Sequence, residues 1–209
     1  MTMEETDALV VVDVQTDFCP GGALAVPDGD AVVPVINGLT PAFSIVAATQ
    51  DWHPADHISF ASQHPGKAPF EQIELDYGAQ TLWPDHCVEG TAGADLHPGL
   101  DRARLQMIVR KGFRCMVDSY SAFKENDRKT ETGLAGYLRD RGARHVFVCG
   151  LALDVCVLFS ALGAKEAGFD VSLIVDASRG LDIEGSNEKA LAEMRAAGVS
   201  ICQSGALAP

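Results

Sequence analysis

The chain has 209 residues, with 16 Lys and Arg against 29 Asp and Glu; the formal net charge of −13 argues against a nucleic-acid partner. Hydrophobic residues make up 47%, so the chain reads as one globular domain, residues 1–209, and its apolar runs are strand-sized, too short to cross a membrane. The acidic start, MTMEETDALVVVDVQ, does not resemble a secretory leader, and six cysteines without a CxxC pair read as reduced thiols of a cytoplasmic protein.

Residues 8–14 form a continuous apolar strand with Asp13 near its carboxyl end. Open α/β sheets collect function at that end, although an aspartate there also serves simply to cap a turn. Pro20, Gly21, Gly22, Pro27 and Gly29 mark a loop. Asp30 then has the chemistry of an N-cap for a helix carrying Val32, Val33, Val35, Ile36 and Leu39, with Pro34 tolerated in its first turn. Residues 45–49 are a second strand, running into QDWHPADHISF. Asp51 and His53, two apart, share one face of an extended segment, and carboxylate plus imidazole suits zinc, iron or manganese. Such pairs also occur by chance on loops.

Residues 61–106 are rich in proline and glycine, an irregular excursion of a length that is usually functional. Within it WPDHC offers His86 as a third ligand, while His64 and His97, each before a proline, read as exposed loop residues. Residues 105–110 are a third strand ending at Lys111, which taken alone reads as a solvated surface lysine. DSYSAF at 118–123 is a turn, and Thr130 is placed to cap a helix through Leu134, Tyr137 and Leu138 that stops at Gly142. Residues 145–149 are a buried strand. From Asp154, the residues Val155, Leu158, Phe159 and Leu162 recur at helical spacing as far as Gly168. Cys156 thus opens a helix, where the dipole favours thiolate, although a free cysteine is more often a small buried hydrophobe. A strand at 171–175, a helix at 183–197 and a strand at 199–202 complete the chain.

Strands alternating with helices predict an α/β fold with a mainly parallel sheet and helices on both faces. In such a sheet the carboxyl ends share one edge. Asp13, Asp51, Lys111 and the Cys156 turn all fall on it.

Five segments in this order, VVDVQTDFCPGGAL, TQDWHPADHISFAS, WPDHCVEGTAGA, KG with DSYSAF, and GLALDVCV, resemble the isochorismatase-like cysteine hydrolases, and among them the nicotinamidases (pyrazinamidases). The resemblance implies a three-layer α-β-α fold with a six-stranded sheet and a loop region at about 51–104 that binds metal and substrate. It implies a triad of Asp13, Lys111 and Cys156, and one divalent ion (Zn²⁺, Fe²⁺ or Mn²⁺) on Asp51, His53 and His86. It further implies a cis peptide before Ala152, an oxyanion hole from the N–H groups of Ala152 and Cys156, and a ring pocket lined by Phe18, Trp83 and Tyr120. The implied reaction is hydrolysis of nicotinamide to nicotinate and ammonia, also of pyrazinamide, through a cysteine thioester in NAD salvage. The implied partner is that small molecule, and the implied assembly a homo-oligomer. The chain departs from the family in having Leu153 where threonine is usual. It also has His57 at a spacing from Asp51 and His53 shorter than that of the relatives in which a histidine is the fourth ligand. A metal-independent amidase or carbamoyl hydrolase of the same superfamily would share the triad but not need the three ligands. A binding domain would need neither.

Overall fold

The computed structural model describes residues 3–207. Its elements in chain order are β1 (Asp7–Val12), α1 (Val32–Leu39), β2 (Ile45–Asp51), β3 (Gln72–Leu75), β4 (Gly78–Thr81), β5 (Met107–Lys111), α2 (Leu134–Asp140), β6 (His145–Leu151), α3 (Leu158–Glu166), β7 (Asp170–Arg179), α4 (Ser186–Ala196) and β8 (Ser200–Cys202). Six strands pair in the order β5-β2-β1-β6-β7-β8, every pair parallel. The apolar runs of β1, β2 and β6 are continuous because both faces of the sheet are covered. Ala8, Val10 and Val12 pack with side chains of α2, α3 and α4, whereas Leu9 and Val11 pack with α1 and the loops. No helix of the described residues is long and apolar enough to cross a membrane.

From β1 the chain winds to β2 and β5 on one side, then returns to place β6, β7 and β8 on the other. The winding reverses between β1 and β6, and a crevice opens at the carboxyl ends of the strands at such a switch point. Asp13 and the Cys156 turn flank it.

Several local expectations change. The 61–106 excursion contains an antiparallel hairpin, β3 with β4, turning at Asp76 and Tyr77 with Gly78 at φ +115°. Asp30 does not cap α1: it lies inside the 3-10 turn Gly29–Ala31, which runs straight into the helix and leaves no extended cap residue. Thr130 does not cap α2 either, since its hydroxyl donates to Asp127 Oδ2 (2.7 Å); Thr132 Oγ1 accepts from the Leu134 amide instead (3.2 Å). The helix expected from Asp154 begins as a π-helical turn, Leu153–Val157, in which the Val157 N–H reaches back to the Ala152 carbonyl. Only from Leu158 is it α-helical.

Candidate active site

Asp13 lies one residue past β1, at φ +46°, and is wholly buried. Its neighbour across the sheet is Thr49 of β2. The Thr49 hydroxyl donates to Asp13 Oδ1 (2.6 Å) and accepts from the Asp13 amide (3.1 Å). Lys111, the last residue of β5, is 1% exposed, so it is no surface lysine. Its Nζ lies 2.8 Å from Asp13 Oδ2 and 2.5 Å from Asp51 Oδ1. It also donates to the Ser119 carbonyl (2.8 Å) and stands 3.5 Å from Cys156 Sγ. A carboxylate oxygen of Asp13, one of Asp51 and the Cys156 sulfur all lie within 4.8 Å of one another. The three groups the sequence places at strand ends are therefore in mutual reach.

Burial dominates their titration. It raises Asp13 to about 6, with Asp51 adding and Lys111 and Thr49 opposing. Burial also acts upward on Asp51, but Lys111, His53 and His86 outweigh it and hold that carboxyl below the usual carboxylate range. Burial would lower Lys111, yet Asp13, Asp51 and Cys156 keep it well above its ordinary value. The Cys156 thiol is raised well above its ordinary value by burial; Lys111 pulls it down, and Asp13 and Asp51 push it up again. This corrects the expectation of a resting thiolate, because the helix turn and one ammonium do not outweigh burial beside two carboxylates. The arrangement is a thiol beside a base ionised at neutral pH.

Asp51, His53 and His86 each turn one ligand atom inward, all within 4.8 Å of one another, and all three are buried. His53 Nε2 and His86 Nε2 lie 3.5 and 3.8 Å from Asp51 Oδ2. The far nitrogens are tied back: Nδ1 of His53 to the Gly112 carbonyl (2.9 Å) and Nδ1 of His86 to the Pro84 carbonyl (2.7 Å). A carbonyl only accepts, so each Nδ1 carries a proton and Nε2 is the nitrogen left for a metal, the orientation of a metal-ligating histidine. Burial acts downward on His53, but Asp51 outweighs it and raises His53 above its ordinary value. Burial and His53 lower His86 to about 4, which keeps it neutral. The donor set therefore fits a divalent ion. His57 does not join this group: its Nδ1 pairs with Ser59 Oγ (2.7 Å), and its Nε2 faces the Val117 carbonyl (3.3 Å). Pairing of residues 52–61 with residues 83–89 brings the two ligand loops together, as in the bonds from His53 N–H to the Cys87 carbonyl (3.0 Å) and from Trp83 N–H to the Ser59 carbonyl (2.8 Å).

Both groups open onto one mainly apolar pocket, whose lining includes Phe18, Trp83, Tyr120, His86, Cys156 and Leu181. Ala152 lines it too, and the Leu151–Ala152 peptide is cis. The N–H groups of Ala152 and Cys156 enter none of the turn, loop or cap hydrogen bonds among the described residues. Leu153 is buried in the helix-side core and not in the pocket, so the missing hydroxyl leaves no gap in its lining. His64 and His97 are half-buried and bound to loop backbone, not freely exposed. Sequence reasoning misses Thr49. It also misses Gln15, whose amide side chain bonds both the N–H and the carbonyl of Asp51 (2.8 Å each). Tyr120 OH is fixed by Trp83 Nε1 (3.1 Å) and by Gln80 Nε2 (2.9 Å), which bonds Asp118 as well. A buried Gln80 in an otherwise half-exposed hairpin is the signal that polar partners wait beneath it.

Comparison with known proteins agrees with this geometry. The family model described as the isochorismatase domain matches residues 7–205. The nicotinamidase of Acinetobacter baylyi is 54% identical over 192 residues, 92% of this chain and 90% of that protein. Among solved structures, a nicotinamidase and pyrazinamidase of Acinetobacter baumanii superposes with a TM-score of 0.96 at 53% identity, covering 98% of this chain and 99% of that one. The pyrazinamidase of Pyrococcus horikoshii, solved in complex with zinc, superposes with a TM-score of 0.76 at 37% identity, covering 95% and 99%. With nearly its whole length matched and about half its residues shared with such relatives, the chain belongs to the isochorismatase domain family, in its nicotinamidase and pyrazinamidase branch.

Proposed function

We propose that this protein hydrolyses nicotinamide to nicotinate and ammonia, and pyrazinamide to pyrazinoate, through a thioester on Cys156. The observation that carries the reading is the Lys111–Asp51 contact of 2.5 Å, which joins the Asp13–Lys111–Cys156 triad to the Asp51–His53–His86 cluster beside one apolar pocket. A triad alone serves any amidase of the fold. The cluster adds a place for a ring nitrogen.

Asp13 takes the Cys156 proton, and the sulfur attacks the carboxamide carbon. The Lys111 ammonium, 3.5 Å from the sulfur, offsets the charge that develops there. The Ala152 and Cys156 amides hold the oxyanion, and one such donor is worth ~3 kcal/mol of transition-state stabilisation. Asp13 returns its proton to the departing nitrogen, the C–N bond breaks and ammonia leaves. Water then attacks the thioester with Asp13 as base, the C–S bond breaks, and nicotinate leaves as the sulfur regains its proton. Phe18, Trp83 and Tyr120 confine the flat ring. Asp51, His53 and His86 hold one divalent ion, Zn²⁺, Fe²⁺ or Mn²⁺, whose chemistry when bound is Lewis-acid attraction for the ring nitrogen; the zinc-bound relative supports that class of metal.

The test is ammonia release from nicotinamide, pyrazinamide and benzamide, before and after metal removal. Benzamide has the shape and lacks the nitrogen, so its kcat/KM should be lower by on the order of 10² or more. Equal rates on all three, unchanged by chelation, would move the assignment to a metal-independent amidase of the same superfamily. Release from none of them, with the fold intact, would favour a binding domain.

A further inference from the structure

Asp154 has no part in the chemistry above, yet its carboxylate is among the most engaged near the site. It sits in the π-helical turn two residues before Cys156. Its oxygens accept from three donors far along the chain: the Leu181 amide (3.0 Å), the Asp182 amide (2.9 Å) and the Ser186 hydroxyl (2.5 Å). The segment between β7 and α4 that supplies them is not a relaxed turn. Asp182 has φ +55° and Glu184 φ +52°, a region that disfavours residues with a Cβ, and Gly185 follows at φ +73°. Adjacent amides converging on one carboxylate are what hold such a backbone in place. The packing is close as well: a Cβ on Gly180 would fall 2.8 Å from Asp154 Oδ1 and 1.8 Å from Asn187 Oδ1. Leu181, inside this clamped segment, lines the pocket together with Ala152, Val155 and Cys156.

We infer that Asp154 is a positioning residue: it clamps segment 180–186 to the nucleophile's own turn, so that Leu181 forms a fixed wall of the pocket and sets affinity for the ring without acting at the sulfur. The pocket's role rests on the function proposed above. The clamp rests on geometry alone. Asparagine at position 154 would keep the shape but offer one acceptor oxygen to three donors, and would turn an NH₂ towards N–H groups.

The experiment compares Asp154→Asn, Leu181→Ala and the double variant with the wild type. It reads KM and kcat for nicotinamide and, without substrate, hydrogen exchange at the Leu181 and Asp182 amides. Asp154→Asn should speed that exchange about tenfold or more, because local opening loses its main restraint. It should raise KM about tenfold with kcat within about threefold, the pattern of lost uniform binding. Leu181→Ala should raise KM similarly, and the double variant should be no worse than the poorer single one, since both act through one wall. Unchanged exchange, a fall in kcat at constant KM, or multiplying effects would overturn the inference. If Asp154→Asn does not fold, Ser186→Ala decides, because it removes one donor and leaves the carboxylate: faster exchange with a higher KM supports the clamp, and no change overturns it. A wild type that releases no ammonia refutes the activity and not the clamp, which exchange reads with no substrate present.

Discussion

Replacing Thr49 by valine deletes one hydroxyl in a buried strand and keeps the side-chain shape. That hydroxyl donates to Asp13 Oδ1 at 2.6 Å, and Asp13 titrates at about 6 with the bond in place. The bond favours the ionised carboxylate, so its loss must raise the value further. A hydrogen bond to a charged group contributes ~1.5–3 kcal/mol, and ~1.4 kcal/mol is one pKa unit. The acid limb of kcat/KM, which reports the base in the free enzyme, should therefore move up by roughly one to two units. Below the new limb Asp13 is protonated and cannot take the Cys156 proton, so kcat/KM at the old limb should fall about five- to fiftyfold. Well above it the carboxylate is ionised again, and the variant should approach wild-type rates. The Asp13 amide also loses its acceptor, so the melting transition should report a loss of ~1–3 kcal/mol. The assay is kcat/KM for nicotinamide across the acid limb, with thermal unfolding as the control. A folded variant whose limb stays put would refute Asp13 as the base, and a limb moving to lower pH would refute the sign of the argument.

Other expectations follow from the same contacts. Cys156→Ala should keep the fold, since the side chain is small and sits at the pocket edge of the core, and should abolish ammonia release; residual turnover near the wild-type rate would remove Cys156 as nucleophile. Asp13→Asn and Lys111→Ala should each lower kcat/KM severely, and the pair together little further, because groups acting as a unit are non-additive; near-wild-type rates in either single variant would break the triad assignment. Gly112→Ala should weaken metal binding, measured as retained metal after dialysis, on the order of 10- to 100-fold. Its Cβ would lie 2.4 Å from His53 Cε1 at a backbone φ of +69°, so the ring that the Gly112 carbonyl orients must move; unaltered metal content would show that His53 is not a ligand.

Much of this molecule is legible in its sequence because parallel strands buried on both faces leave continuous apolar runs, as at 8–12 and 145–149. The residue that ends each run is then placed on the functional edge by topology alone. That is how Asp13, Asp51 and Lys111 stand out. Partnerships across the sheet are another matter. Thr49 meets Asp13 because of the register between β1 and β2, which pairs Val11 with Ala48, and nothing local to either strand specifies it. The same holds for Gln15 and Asp51, 36 residues apart. The β3–β4 hairpin is hidden because its exposed and half-buried residues give no apolar alternation, and its one wholly buried side chain is Gln80. Capping is misjudged at Asp30 and Thr130 for a related reason: the residue type is right, but the turn entering the helix decides which side chain faces the free amides.

The division of work between the two carboxylates follows from where they stand around one ammonium. Asp13, Asp51 and the Cys156 sulfur crowd within 4.8 Å, and Lys111 can offset only one negative charge among them. It donates to Asp51 Oδ1, to the Ser119 carbonyl and towards the Cys156 sulfur, and it forms an ion pair with Asp13 Oδ2 at 2.8 Å, a use suited to a compact ammonium. Some proton must therefore stay in the cluster. Asp51 faces Lys111 and, unlike Asp13, His53 and His86 as well, which together outweigh its burial and hold it below the usual range, so it remains ionised and able to ligate. Asp13 has Lys111 and Thr49 to support its charge, and burial still carries it to about 6. Of the two, Asp13 is the one that exchanges a proton with the thiol near neutral pH. Carboxylates whose environments push their titrations apart take different roles. Here the environments are set by strand position, one acid beyond β1 beside the nucleophile and the other at the end of β2 beside the imidazoles, so the sheet order itself assigns proton carrier and ligand.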